Sequence, residues 1–254
     1  MKTRMRQVAG FVMVAVWVAG GTVAARAEQI RVVSSVALKA VVEALAPEFE
    51  RSTSHTVVPV FGIAAAIKTT LEAGEPFDVA ILTPAMLDEL AAKGLIDAAP
   101  RPVVARAGLG LMIKAGSAKP DVSSIDAFKR TLLNARAITF VPTGASGIAF
   151  LATAEKLGIT AAINARAKPA ASGDEVNANV TGGVADLAVL PISEILPVRG
   201  AQLGGVFPAD IQSYIVMAAG INPRSPRGAA ARDFVAFLTA SKNTAVVTGK
   251  GMER

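Results

Sequence analysis

Apolar and polar positions along the chain follow two periods, and the switches between them lay out the fold. Residues 30–33 form a short β-branched run that ends in Ser34 and Ser35. Over residues 37–51 the period changes: Leu38, Val41, Val42, Leu45 and Phe49 fall at i, i+3, i+4, i+7 and i+11, one apolar stripe along a helix. Ser34 or Ser35 is placed to cap it. Residues 56–61 read as a second strand closed by Gly62, and residues 64–73 as a helix stopped by Gly74. Residues 78–82 read as a buried strand. Pro84 then opens a helix over 85–93, which Gly94 stops. Strand and helix alternate three times, the order of a parallel sheet with helices on its faces.

The pattern then changes. Residues 103–113 make one extended run with Gly108 and Gly110 inside it, longer than the ~5–6 residues of an average strand. A strand of that length can leave one sheet and enter another. Alternation resumes with a helix over 124–134, a strand over 137–141, a glycine-rich turn over 142–147 and a helix over 148–157. A helix over 174–181 and a strand over 186–190 follow. A second extended run, 213–219, precedes a closing helix over 227–239, with Phe234, Phe237 and Leu238 on one face. The economical topology is α/β with two lobes, each a β-sheet flanked by helices, joined by two crossings. Residues 28–105 with 215–254 form the first lobe, and residues 106–214 are inserted as the second.

Charge changes the picture at the N-terminus. Residues 1–27 carry Lys2, Arg4 and Arg6, then an apolar run over 8–20, then Ala25-Arg26-Ala27. This is the pattern of a secretory signal peptide cut near Ala27, and its apolar core is shorter than the ~20 residues needed to span a bilayer. The formal net charge of the whole chain is +6, from 26 basic and 20 acidic residues. The leader holds four of the basic residues and no acidic one, so the mature chain carries 22 against 20, a net +2. That near balance removes the electrostatic motive for binding nucleic acid. The chain has no Cys and one His. Disulfides, thiol nucleophiles, Cys-ligated metals and multi-histidine metal sites are thereby excluded. No cofactor is expected, and the mature protein is expected in a periplasm.

Residues 32–50 and 57–97 resemble the molybdate-type periplasmic solute-binding proteins of ABC importers. The similarity is clearest over residues 30–115 and rests on the serine-bearing turn after the first strand and on the spine Phe61, Ala64, Leu71, Gly74 and Asp78. The resemblance implies the two-lobed, type II periplasmic-binding-protein fold, with a small anion held between lobes that close about a hinge. It further implies a monomeric receptor that hands its ligand to an ABC permease in the inner membrane. The family's anion site, aligned onto this chain, departs from the pattern at three places. The serine before the first helix's leading Leu is Ala37, the serine after the second strand is Ala64 or Ala65, and the tyrosine after the late strand of the second lobe falls near Pro191. Each lost donor leaves charge undersolvated at a cost of ~1–3 kcal/mol. A small carboxylate is therefore expected rather than molybdate.

Ligands of open α/β sheets sit beyond the carboxyl ends of strands, against helix N-termini. Ser34 and Ser35 precede the first helix there. Thr143, Gly144, Ala145 and Ser146 form the turn before a later helix, where two hydroxyls and close backbone approach suit an anion. Ile63 and Ala64 offer backbone N–H groups alone. Pro191 and Ser193 end a strand at the same level. Arg106, inside an apolar run, has a guanidinium that suits a carboxylate, or an internal ion pair. A second function fits the same fold: an isomerase acting on a small polycarboxylate such as aconitate. It would need a base near the carbon that loses its proton, and Glu175 and Asp78 are the carboxylates the sequence offers.

Overall fold

The structure is a computed structural model and describes residues 27–98 and 100–254. The leader, with Trp17, lies outside the described residues up to Arg26.

Strand β1 (Gln29–Ser35) lies between β2 (Thr56–Gly62) and β3 (Val79–Leu82), all three parallel. The strand β9 (Tyr214–Ile221) runs antiparallel beside β3, and β4 (Val103–Lys114) antiparallel beside β9. Here the long glycine-bearing run behaves as its length implies. Residues of β4 up to Gly108 pair with β9; from Leu109 onward they pair with β7 (Leu187–Pro191), and from Gly110 with β8 (Ala201–Val206) as well. Beyond β7 lie β5 (Ile138–Phe140) and β6 (Ala167–Pro169), parallel to it and to each other. One strand therefore belongs to both halves of the molecule. The second crossing is the segment 207–213, between β8 and β9.

At the first crossing the Gln212 side chain stands in for a strand partner. Its Oε1 accepts from the Leu109 N–H at 2.8 Å and its Nε2 donates to the Leu109 carbonyl at 3.1 Å. Oε1 also accepts from Ser213 N–H at 3.0 Å. A Cβ on Gly108 would lie 3.1 Å from that amide nitrogen, so a glycine there leaves the amide its room.

The helices are α1 (Lys39–Ser52), α2 (Ala64–Glu72), α3 (Pro84–Ala92), α4 (Ile125–Asn134), α5 (Ala145–Lys156), α6 (Thr160–Arg166), α7 (Gly173–Thr181), α8 (Ile192–Ile195), α9 (Gly228–Thr239) and α10 (Thr244–Gly249). The stripe read on the first helix is its buried face: Val41, Val42, Leu45 and Phe49 are all buried. Phe49 meets the edge of Phe234 at 5.1 Å between centroids, an arrangement that adds ~0.5–1.5 kcal/mol beyond area burial. In the second half Phe128, Phe150 and Phe207 pack together similarly.

Two boundaries differ from the sequence reading for local reasons. The first helix opens with a 3₁₀ turn, Val36–Leu38, capped by the Ser35 hydroxyl, which accepts from Ala37 N–H at 3.3 Å. The helix expected at residue 148 already starts at Ala145, because Gly147 passes against the Val141 carbonyl. A Cβ there would sit 1.9 Å from that oxygen, so only glycine lets the helix begin so close to the strand. Elements α6, β6, α8, β8 and α10 had no clear period. β8 is built around Gly204 and Gly205, against Ile113 and Val122 respectively, where packing leaves no space for alternating side chains.

Candidate functional site

Four helices begin around one cavity between the two halves. Ser35, Val36 and Ala37 come from the turn leading into α1; Ile63 and Ala64 start α2; Gly144, Ala145 and Ser146 start α5; Gly173 starts α7. Val141, Leu190, Pro191, Glu194 and Ile215 complete the lining. The cavity measures about 40 Å³, room for a few waters at ~10–15 Å³ each.

The convergence follows from the topology. The parallel pairs β1 with β2 and β5 with β6 lead into these four helices, whose first N–H groups have no partner within the helix. Such termini carry roughly half a positive charge each. No Lys, Arg or His lines the cavity, so its positive character comes from backbone. Ser35 and Ser146 add hydroxyls, and both are buried.

The structure gathers Ser35, Ile63, Ala64, Gly144, Ala145, Ser146 and Pro191 of the sequence candidates into this lining. Four others stand apart from it. Ser34 is fully buried and donates to the Ser35 carbonyl at 3.1 Å. Thr143 is exposed beside the turn. Ser193 is buried and donates to the Ala37 carbonyl at 2.8 Å. Arg106 takes the internal alternative: its guanidinium pairs with Glu253 at 2.9 Å and stacks over Tyr214 at 4.5 Å. The backbones of Arg106 and Glu253 also exchange two hydrogen bonds of 2.8 Å. Arg106 points at the chain's C-terminal segment, because the alternation of β4 turns this residue to the half-exposed face. Of the positions where the resemblance implies a replaced donor, Ala37, Ala64 and Pro191 line the cavity, and Ala65, the alternative to Ala64, does not.

The carboxylates offered by the sequence do not reach it. Asp78 is buried at the head of β3, where it accepts from Arg31 N–H at 2.7 Å and Ser225 Oγ at 2.5 Å, with Arg227 3.6 Å away. Glu175 accepts from Ala171 N–H at 2.8 Å, and the Ser172 hydroxyl caps the same helix from Glu175 N–H. Sequence reasoning missed Glu194. It sits on the short α8 after β7, and a Cβ on Gly173 would come 3.5 Å from its Oε2. Burial alone pushes its carboxyl up to about 7. The signal available was an acidic residue three positions past Pro191 at a strand end, but the four-residue helix carrying it has no period of its own.

The cavity of backbone donors thus lies between two halves that share the strand β4. The chain belongs to the family described as bacterial extracellular solute-binding protein, which it matches over residues 30–253. It is 27% identical over 232 residues to the aconitate isomerase of a Pseudomonas species, covering 88% of this chain and 87% of that protein. To the molybdate-binding protein ModA of Azotobacter vinelandii it is 28% identical over 243 residues, covering 90% and 91%. The solved structure of the periplasmic molybdate-binding protein of Azotobacter vinelandii superposes with a TM-score of 0.75 at 22% identity, covering 89% of this chain and 99% of that one. Among the described residues no helix is long and apolar enough to cross a membrane, and no group of three or more His, Cys, Asp or Glu could hold a metal ion.

Proposed function

We propose that the protein captures a small carboxylate in this cavity and delivers it to an ABC permease of the inner membrane. The lobes are residues 28–105 with 215–254, and residues 106–214. They close around the ligand, and the protein works as a monomer in the periplasm after removal of the leader near Ala27. The observation that carries the reading is the meeting of four helix starts on one cavity without a cationic side chain. Backbone N–H groups and two serine hydroxyls suit a compact anion of low charge. Ala37, Ala64 and Pro191 take donors away from a tetrahedral dianion, and the Glu194 carboxyl adds an acceptor where such an ion needs donors.

The test is thermal-shift and calorimetric screening of the protein from Glu28 onward. The probes are acetate, glycolate, succinate, malate, citrate, aconitate, sulfate, phosphate, molybdate and tungstate. A true ligand at 100 times its dissociation constant stabilises by ~2.7 kcal/mol. Carboxylates are expected to shift the transition. Micromolar binding of molybdate or tungstate with no carboxylate response overturns the reading.

Glu194 supports a second reading, an isomerase of a small unsaturated polycarboxylate. A base of pKa near the working pH is suited to move a proton. On trans-aconitate, a carboxylate would take a proton from the methylene carbon, the electron pair would shift through the double bond, and the same proton would return to the former vinyl carbon. The product is cis-aconitate, with no change in oxidation state and no co-reactant. Incubation of the pure protein with trans-aconitate, followed by chromatography, tests it: absence of the cis isomer at enzyme-level concentrations removes this reading.

A further inference from the structure

Glu194 is the one ionisable side chain in the lining of the cavity. Its carboxyl stands before the first residue of α7, close to Gly173, and burial is the sole cause acting on it. Neither a cation nor a hydrogen-bond donor among the described residues offsets its charge.

The neighbouring charges are engaged elsewhere or exposed. Elements packed against α8 are β4, β7, β8 and the turn Val36–Leu38. Of these, β7, β8 and the turn bring no ionisable group. From β4 come Arg106, held by Glu253, and Lys114, at the end of the strand opposite Ala201. Lys39, at the start of α1, pairs with Glu43. On α7, Asp174 is exposed and Glu175 is bonded to Ala171. Arg199 follows α8 on the exposed surface, and Lys250 precedes Gly251, whose Cβ would touch Ile192 and Leu196 rather than Glu194.

An ionised carboxylate can only accept, and no donor among the described residues serves this one, so it needs a proton brought by the occupant. We infer that Glu194 sets the specificity of the cavity: the site takes anions that carry a hydroxyl or an acidic proton, and rejects anions of the same shape that carry none. The inference deepens the receptor reading and rests on it. When Glu194 is protonated it donates instead, and the discrimination fades. With its carboxyl raised to about 7, the switch falls between pH 6 and 8. Rejecting a wrong ligand by facing it with an unpaired charge is an established route to specificity.

Two matched pairs test this. Sulfate and phosphate share shape, but phosphate keeps a proton at pH 8; acetate and glycolate differ by one hydroxyl. Dissociation constants are measured by calorimetry at pH 6 and pH 8 for the wild type and for Glu194→Gln, which keeps the size and loses the charge. In the wild type, acetate and sulfate are expected to weaken about tenfold from pH 6 to pH 8, the fall in the protonated fraction of a group titrating midway. Glycolate is expected to change little, and phosphate to change less than sulfate. In Glu194→Gln, acetate and sulfate binding should become independent of pH. Anions that bind both proteins with the same selectivity and the same pH dependence overturn the role of Glu194 and leave the receptor reading standing. Failure of every probe to bind overturns both. Should the variant not fold, the wild-type pH profile alone decides, since a flat acetate profile contradicts the inference.

Discussion

The Ser193 hydroxyl donates to the Ala37 carbonyl at 2.8 Å across the two halves of the molecule. Both residues are buried, and each adjoins the cavity: Ala37 lines it, and Ser193 precedes Glu194. The bond therefore fixes the four-residue helix that carries the carboxyl against the turn that opens α1. Ser193→Ala leaves a buried carbonyl without its partner, and urea unfolding is expected to show a loss of ~1–3 kcal/mol. A loss below about 0.5 kcal/mol would mean that the carbonyl finds another donor.

Glu194 also ties stability to pH. Its carboxyl is raised in the folded chain from 4.5 to about 7, so the folded state holds a proton that the unfolded state has already released. The sign follows from linkage: stability is fully present below pH 4.5 and is lost as pH rises through 7. Glu194→Gln removes that loss. The variant is expected to gain up to about 3 kcal/mol over the wild type at pH 8, and little at pH 4. Chemical denaturation at the two pH values checks this, and a gain equal at both would contradict it.

At Gly147 the outcome is steric. A Cβ would meet the Val141 carbonyl at 1.9 Å, and both partners are backbone, so the start of α5 must move. Gly147→Ala is expected to cost ~1–3 kcal/mol, as overpacking does. It should also abolish anion binding, since the same turn supplies Gly144, Ala145 and Ser146 to the cavity.

Arg106 behaves as a surface residue in this geometry. Its pair with Glu253 is half exposed on both sides, and such pairs contribute ~0.2–1 kcal/mol. Arg106→Ala is expected to lower stability by that amount and to leave glycolate affinity within about twofold. A tenfold loss of affinity would return the guanidinium to the site.

The two-lobed plan was legible because its signals are additive. The stripe Leu38–Phe49, the glycine stops after α2 and α3, and the overlong run through Gly108 and Gly110 all act over many residues. Half of the cavity lining coincides with residues the sequence singled out, since Ser35, Ile63, Ala64, Gly144, Ala145, Ser146 and Pro191 fall at strand ends. The sequence left Arg106 open between a carboxylate and an internal ion pair, because the parity of its side chain along β4 depends on which partner the strand keeps at that point, and Glu253 lies 147 residues away. Glu194 escaped notice for a different reason. Its helix is too short to show a period, and its chemistry arises from burial by β4, β7 and β8, a tertiary property that no local pattern carries.

The amide of Gln212 holds Leu109 by both its N–H and its carbonyl, at the residue where β4 passes from one set of partners to the other. Sliding one half past the other by a single residue, ~3.3 Å, would break both bonds at once. A swivel about that residue would keep them. The mouth of the molecule is thus constrained to pivot at a riveted point, and the leverage of any such turn is felt at the far ends of β1, β2, β5 and β6, after which the four helices begin.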